Sequence, residues 1–426
     1  METLKKYILT DGFHLEMNLE KSSGSYIYDN ISERYFLDFY SCFASCPLGY
    51  NHPELNTTKI SHVYPNKIAN SDIYTQEYAT FVSTFRKMLP KELRRHLFFI
   101  EGGGLAVENA LKAAFDWKFQ KNIQNNRIVS ENDLKIIHFQ EAFHGRTGYT
   151  MSLTNTDPNK VANFPKFSWP RCVNPKIHYK QGLPDNLLDV CEKENLAIEQ
   201  IKSALKEFPN CIAGLIIEPI QGEGGDNHFR PEFLFRLRKL ADTYEFLLIF
   251  DEVQTGFGTT GKYWCFEHMN IQPDILSFGK KTQVCGVCAT SRLDDVNSVF
   301  TVSGRINSTF GGNLIDMVRC TEICQIYVKN NIMENVQKVG KYLLDTLISF
   351  EKNKLGITNC RGKGLMIAFD LESEVTRTRF INLSRENGLL CLTSGKSSIR
   401  FRPPLNLSYD EATEGLKIIQ MICSKI

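Results

Sequence analysis

The sequence predicts an α/β fold: a large unit built on a mostly parallel sheet, followed by a smaller α/β unit at the C-terminal end. Three observations carry this expectation. Phe246-Leu247-Leu248-Ile249-Phe250 is apolar without a break, the pattern of a strand buried on both faces of a parallel sheet. Between about residues 97 and 280 such runs alternate with stretches of helical periodicity, as strand-helix crossover units do. Beyond about 330 the alternation continues on a smaller scale, with strands expected at 364–369, 388–392 and 399–401. The expected division is therefore an N-terminal segment over 1–70, a large unit over 71–330 and a small unit over 331–426.

The N-terminal segment has short apolar runs broken by Gly, Asn and Pro. Tyr26-Ile27-Tyr28-Asp29 and Tyr35-Phe36-Leu37-Asp38-Phe39 read as hairpin strands around the turn-rich residues 30–34. Residues 43–53 hold Pro47 and Gly49, are too apolar to lie in solvent, and are expected to cover a pocket. Tyr78, Phe81, Val82, Phe85, Met88 and Leu89 fall at helical spacing up to Pro90. Next come a strand, Leu97-Phe98-Phe99-Ile100, a turn, Glu101-Gly102-Gly103-Gly104, and an Ala-rich helix over 106–119. Strand, glycine turn and helix together suit a phosphate, because backbone amides and the helix N-terminus face the anion. A turn that needs glycine for its backbone angles alone explains the same residues.

Ile136-Ile137-His138-Phe139 is a further strand, followed by Phe143-His144-Gly145-Arg146-Thr147, where an aromatic ring is placed to stack on a planar ligand. Residues 155–190, rich in Asn, Pro and Lys, form a long excursion of the kind that tends to be functional. Leu196, Ile201, Leu205 and Phe208 mark a helix over 195–208. A buried strand over 212–217 ends in Glu218-Pro219-Ile220-Gln221-Gly222-Glu223-Gly224-Gly225, and a crossover helix over 233–244 leads into 246–250. Asn307-Ser308-Thr309-Phe310-Gly311-Gly312-Asn313 is a second small-residue turn and a second candidate anion site, before a helical stretch over 315–347.

Composition narrows the function classes. Lys+Arg (50) and Asp+Glu (48) leave a formal charge of +2, which calls for neither nucleic acid nor an anionic membrane as partner. No stretch is apolar for the length of a bilayer span, and Met1 to Lys6 lead into no secretory signal. The expected location is the cytoplasm. The 13 cysteines, an odd number, read as small reduced core residues. Cys285-Gly286-Val287-Cys288 has redox or zinc spacing, but no second pair or His cluster stands at ligand spacing.

Asp251 ends the central apolar run, and Lys280-Lys281 ends the next one, Pro273-Asp274-Ile275-Leu276-Ser277-Phe278-Gly279. A carboxylate and an amine at adjacent strand ends suggest pyridoxal 5'-phosphate: the acid pairs with the ring nitrogen and the lysine forms the Schiff base. With the glycine turn, Phe143-His144-Gly145, Glu218 to Gly224, Asp251 to Gly256, Lys280, Ser308 to Asn313 and Arg400-Phe401-Arg402-Pro403-Pro404-Leu405 in that order, the chain resembles the class III pyridoxal-phosphate aminotransferases of the fold-type I architecture over nearly its whole length. Within that class it is most similar to the branch acting on the ε-amino group of L-lysine, on residues 103–112, 164–171, 224–230 and 278–286. Many members of the class carry Ser or Thr at the phosphate turn, where this chain has Gly102-Gly103-Gly104.

The resemblance implies a role for each matching residue. Lys280 is the Schiff-base lysine and Asp251 the partner of the ring nitrogen. Phe143 and Val253 enclose the ring, Gln254 bonds its phenolic oxygen, Gly103 and Gly104 offer amides to the phosphate, and His144 belongs to the same cofactor site. Thr309 reaches the phosphate bound to a neighbouring subunit, so a homodimer with shared sites is expected. Arg400 binds the keto-acid carboxylate, Glu223 masks it, and Arg171 takes the distal carboxylate of lysine. Lys281 is the rival for Lys280, set aside because neighbours on an extended segment point to opposite sides. Arg402 reads as a structural or rim charge. The implied reaction passes the ε-amino group of L-lysine to 2-oxoglutarate. The alternatives are another ω-aminotransferase, on ornithine or 4-aminobutyrate, an aminomutase on the same scaffold, or a non-catalytic binding protein.

Overall fold

Phe246 to Phe250 are all completely shielded from solvent, and they lie in the middle of the largest sheet of the computed structural model. The structure describes residues 2–10, 12–55 and 60–426; of the expected N-terminal segment, Met1, Asp11 and 56–59 lie outside them.

In chain order, β1 (Met17–Ser23), β2 (Tyr26–Asp29) and β3 (Arg34–Asp38) make an antiparallel meander. Helix α1 (Gln76–Phe85) starts at Thr75, whose side chain accepts from the Tyr78 amide. Strand β4 (His96–Ile100) leads into α2 (Gly103–Gln124), and β5 (Lys135–Phe139) and β6 (Arg171–Cys172) follow. Then come α3 (Leu187–Glu207), β7 (Ile212–Ile217), α4 (Pro231–Thr243), β8 (Leu247–Asp251), β9 (Ile275–Phe278) and β10 (Cys285–Ala289). Among the described residues the large sheet has seven strands in the order β4-β10-β9-β8-β7-β5-β6. The run from β9 to β6 is parallel. β10, inserted between β4 and β9, is antiparallel to both.

The rest of the chain folds as α5 (Leu314–Lys329), α6 (Ile332–Lys352), β11 (Thr358–Lys363), β12 (Met366–Asp370), α7 (Glu374–Glu386), β13 (Leu389–Leu390), β14 (Leu392–Ser394), β15 (Ser398–Phe401) and α8 (Tyr409–Cys423). The single helical stretch expected over 315–347 is two helices, parted where Asn331 takes a left-handed φ of 51°. Strands β11, β12, β15 and β14 form an antiparallel sheet in that order. The run expected as one strand over 388–392 serves two sheets: β13 pairs in parallel with β3, and β14 pairs with β15. The N-terminal segment is thereby tied to the far end of the chain, and the Arg402 amide donating to the Phe39 carbonyl at 2.8 Å continues the seam.

Apolar packing holds these layers. The Val107, Ala110, Leu111, Ala114 and Trp117 side of α2 is buried against Ile136, Ile216, Leu247 and Ile249 of the sheet, while α4 contributes Phe233, Leu234 and Leu237 to the core on the other face. Alanines at the α2 contact bring the helix close, and each aliphatic side chain buried on the sheet contributes about 1.5–3 kcal/mol. The carboxyl ends of β5, β7, β8 and β9 converge on one rim, the place where open α/β sheets bind ligands.

Candidate active site

At that rim lies a cavity of about 470 Å³, lined by Gly103, Gly104, Phe143, His144, Glu218, Asp251, Val253, Gln254 and Lys280 among others. The strand ends deliver these groups from positions far apart in sequence. Gly102 begins the glycine turn with φ 98°, a backbone region that side chains disfavour, and a Cβ on Gly103 would stand 2.8 Å from Val253 Cγ1. Glycine here lets the start of α2 press against the cavity wall. Its first-turn amides have no carbonyl partner within the helix, and no side chain caps them.

Asp251, 4% exposed, is fixed from three sides. The Val253 amide and the Ser277 hydroxyl donate to Oδ1 at 3.1 and 3.2 Å, and His144 Nδ1 lies 2.8 Å from Oδ2. A carboxylate accepts, so that imidazole nitrogen carries the proton. No lysine or arginine of the described residues pairs with Asp251.

Lys280 is partly exposed and lines the cavity. Burial, then the charges of Arg400 and Arg402, bring its amine down to about 8. The segment is not extended: Lys280 has φ 55°, and Lys280–Thr282 form a tight helical turn. The alternation expected to part the two lysines therefore does not apply. Lys281 is separated by burial instead, with only 1% exposure, an Nζ without a hydrogen-bond partner, and an amine that burial and then Lys280 push well below its ordinary range.

Beside Lys280 runs a polar chain. Gln254 Oε1 accepts from Arg400 Nη1 at 3.2 Å and from Arg402 Nε and Nη2 at 3.1 and 2.8 Å. Arg400 Nη2 donates to Glu223 Oε2 at 2.6 Å, and Lys160 Nζ holds Glu223 Oε1. Burial pushes the Glu223 carboxyl up, but Arg400 and Lys160 outweigh it and hold it at about 2. Of the two expectations for Arg402, a structural or a rim charge, the structural one holds: it is 1% exposed and bonds both oxygens of Asp226 at 2.9 and 2.6 Å. Arg402→Ala strands the Asp226 charge and releases Gln254, so unfolding free energy measured in urea is expected to fall by about 3–5 kcal/mol.

Two groups at the site escape sequence reasoning. Glu218 accepts from the Phe143 and Gly222 amides, both at 3.0 Å, and burial, reinforced by Asp251, raises its carboxyl to about 7. Its signal was available, since it ends a buried strand as Asp251 does. Lys160 carries no signal beyond its place in the long excursion. The segment expected to cover a pocket does contribute Ser45 and Cys46 to the lining, and the Ser45 carbonyl accepts from Gln283 at 2.9 Å.

Four expected site residues are not among those that line the cavity: Glu223 and Arg400 adjoin it through Gln254, and Arg171 and Thr309 stand apart. Arg171 is exposed on β6 and donates from Nε to His138 Nε2 at 3.0 Å. Thr309 is exposed, its carbonyl accepting from Ser71 at 3.4 Å. The Asn307 to Asn313 turn ends in a cap, with Asn313 Oδ1 accepting from the Ile315 amide at the start of α5. Cys285 and Cys288, three apart on β10, face opposite sides of the sheet, Cys285 with Ile100 and Ala106 and Cys288 in the main core. Among the described residues no cluster of His, Cys, Asp or Glu is placed to hold a metal ion, and no helix is long and apolar enough to cross a membrane.

Comparison with known proteins gives concordant results. The family model for class-III aminotransferases matches residues 9–423. The chain is 43% identical to an L-lysine-epsilon aminotransferase of Amycolatopsis lactamdurans, covering 98% of this chain and 94% of the relative. It is 41% identical to the protein of the same name from Streptomyces clavuligerus, covering 98% and 92%. Among solved structures, lysine aminotransferase from M. tuberculosis in the internal aldimine form superposes with a TM-score of 0.94 at 42% identity, over 99% of this chain and 97% of that one.

Proposed function

The chain belongs to the class-III aminotransferases, and from that membership we propose that it moves the ε-amino group of L-lysine to 2-oxoglutarate, giving (S)-2-amino-6-oxohexanoate and L-glutamate, with pyridoxal 5'-phosphate as cofactor. The observation that carries this reading is the Glu223–Arg400 pair at 2.6 Å beside Gln254. It provides one pocket for two substrates of opposite demand.

The residues present suit the cofactor. The cavity offers helix amides at Gly103 and Gly104, a buried carboxylate without a lysine or arginine partner at Asp251, and an amine at Lys280. Pyridoxal phosphate, when bound, supplies an aldehyde that condenses with amines and a protonated ring that draws electrons from the carbon bearing the amine. Lys280 would hold the aldehyde and, as a largely neutral amine at pH above about 8, would take up and return a proton at Nζ. Asp251 keeps a proton on the ring nitrogen, and His144 orients Asp251. Phe143 and Val253 enclose the ring. Because its Oε1 is committed to two arginines, Gln254 has only its amide N–H groups left to offer the phenolic oxygen.

The substrates set the remaining roles. Lysine enters with its distal amine first and no carboxylate nearby, so the pocket must present no bare cation; Glu223 on Arg400 meets that need. 2-Oxoglutarate brings a carboxylate beside the reacting carbon, and Arg400, once released, takes it in a two-pronged contact. Arg171 receives the α-carboxylate of lysine after leaving His138. Thr309, exposed and outside this cavity, serves the phosphate in a second copy of the chain, which makes the working unit a homodimer. Glu223→Ala is expected to slow the lysine half-reaction about tenfold more than the keto-acid half-reaction. Equal losses in single-turnover traces of both halves would refute the masking role.

The substrate is tested by mixing the cofactor-loaded protein with L-lysine, L-ornithine or 4-aminobutyrate and following the visible absorbance of the bound cofactor. Fastest conversion by lysine, reversed by 2-oxoglutarate, upholds the reading. A lead for ornithine or 4-aminobutyrate overturns the substrate and leaves the chemistry, and turnover of lysine with no keto acid present marks an aminomutase.

A further inference from the structure

The carboxylate of Glu223 is divided between two cations: Oε2 takes the Arg400 guanidinium at 2.6 Å, and Oε1 takes the ammonium of Lys160. Lys160 comes from the long excursion after β5, at the end of a short turn (Pro158–Lys160) fixed by Asp157 Oδ1 accepting from the Asn159 amide at 2.9 Å. Its ammonium also stands 5.6 Å from the centre of the Phe143 ring. The three members differ in mobility. Arg400 is locked, its side chain 3% exposed, whereas those of Glu223 and Lys160 are 24% and 27% exposed. The Glu223 carbonyl is pinned by the Gly395 amide at 3.1 Å and the Ser394 hydroxyl at 3.3 Å. Any exchange of partners must therefore be a rotation of the Glu223 side chain.

We propose that Lys160 is the residue that receives Glu223 when Arg400 is engaged by a dicarboxylic keto acid, and so determines specificity for that substrate. It is a positioning residue, acting through Glu223. With Lys160 present, Glu223 can give up Arg400 and keep a full ion pair. Without it, a partly buried carboxylate is left with no cation while a second carboxylate arrives beside it, and both effects oppose keto-acid binding. The charge count agrees: two cations and one anion leave the cluster able to accept one further negative charge, and removing Lys160 cancels that surplus.

The inference rests on the reading of Arg400 and Glu223 in the proposed function, and its test separates the two. Wild type, Lys160→Met and Lys160→Arg, each loaded with cofactor, are compared for KM toward 2-oxoglutarate and L-lysine. Binding of glutarate, a dicarboxylate with no keto group to react, is measured by calorimetry. In Lys160→Met the glutarate Kd and the keto-acid KM are expected to rise about tenfold relative to the lysine KM, the size of one charge-assisted contact, and Lys160→Arg restores both. Equal movement of the two KM values, or an unmoved glutarate Kd, overturns the proposal. If the wild-type protein reacts with neither lysine nor 2-oxoglutarate, the proposed function falls instead, and the glutarate comparison still decides whether Lys160 governs dicarboxylate binding.

Discussion

Lys280→Ala is expected to lower turnover of L-lysine by about four orders of magnitude or more, since in the proposed function one amine serves both as attachment point and as proton carrier. Its environment is built for both tasks. An amine brought from an ordinary 10.5 down to about 8 is neutral in roughly one molecule in ten at pH 7, a gain of about 300-fold in reactive amine. The sign of the pH dependence follows: wild-type protein stripped of cofactor should reattach it about tenfold faster per pH unit up to about 8, then level off. Lys281 offers no substitute, because its Nζ is buried without a partner and lines no part of the cavity. Borohydride reduction followed by peptide mass mapping should find the cofactor on Lys280 in wild type and on no lysine in the variant. A label on Lys281, or turnover within tenfold of wild type, would sink the assignment.

How much of this was legible in the sequence depends on whether the signal was local. Residues 212–217 and 246–250 announced themselves as strands because burial on both faces leaves no polar position to interrupt the run. The same logic placed Asp251 and Lys280 at strand ends, where the structure has both lining one cavity. β10 was invisible: Cys285-Gly286-Val287-Cys288-Ala289 is a small-residue run, without the β-branched content of a typical strand, that fits between β4 and β9, one strand in from the edge of the sheet. Helix α2 begins at Gly103, earlier than expected, because glycines that read as a turn also form its first residues.

Backbone strain and long-range pairing left the weakest trace. Ser41, Cys42, Phe43 and Ala44 all take positive φ, from 41° to 69°, a left-handed turn without a single glycine to mark it. Local and long-range bonds together sustain the turn: Asp38 accepts from the Ser41 amide at 2.8 Å, and the Ser41 hydroxyl donates to the distant Arg402 carbonyl at 2.5 Å. Lys160 meets Glu223 across 63 residues of chain, and no spacing rule reaches that far. A salt bridge between two loops is fixed by the fold, so it could be read only once the fold was in hand.

Asp251→Asn is expected to leave the cofactor attached and the fold intact while lowering kcat by about 10³-fold, the cost of removing a fixed charge from the point where electron density must be drawn away. The substitution isolates charge from shape. With the asparagine oxygen in the place of Oδ1, the Val253 and Ser277 donors keep their acceptor, and the amide NH2 in the place of Oδ2 donates to His144 Nδ1, which accepts in its other tautomer. Folding should not suffer, because a carboxylate buried without an arginine or lysine carries a desolvation cost that an amide avoids. Tm is therefore expected to hold or to rise, the pattern of a residue retained for chemistry at some cost to stability. The two substitutions at the site then separate cleanly: Lys280→Ala loses attachment and turnover together, whereas Asp251→Asn keeps the reduced, covalently labelled lysine and loses turnover alone. If Asp251→Asn instead lowered Tm by several degrees with kcat nearly unchanged, Asp251 would be a structural acceptor for β8 and β9, and the ring-nitrogen role would have to be abandoned.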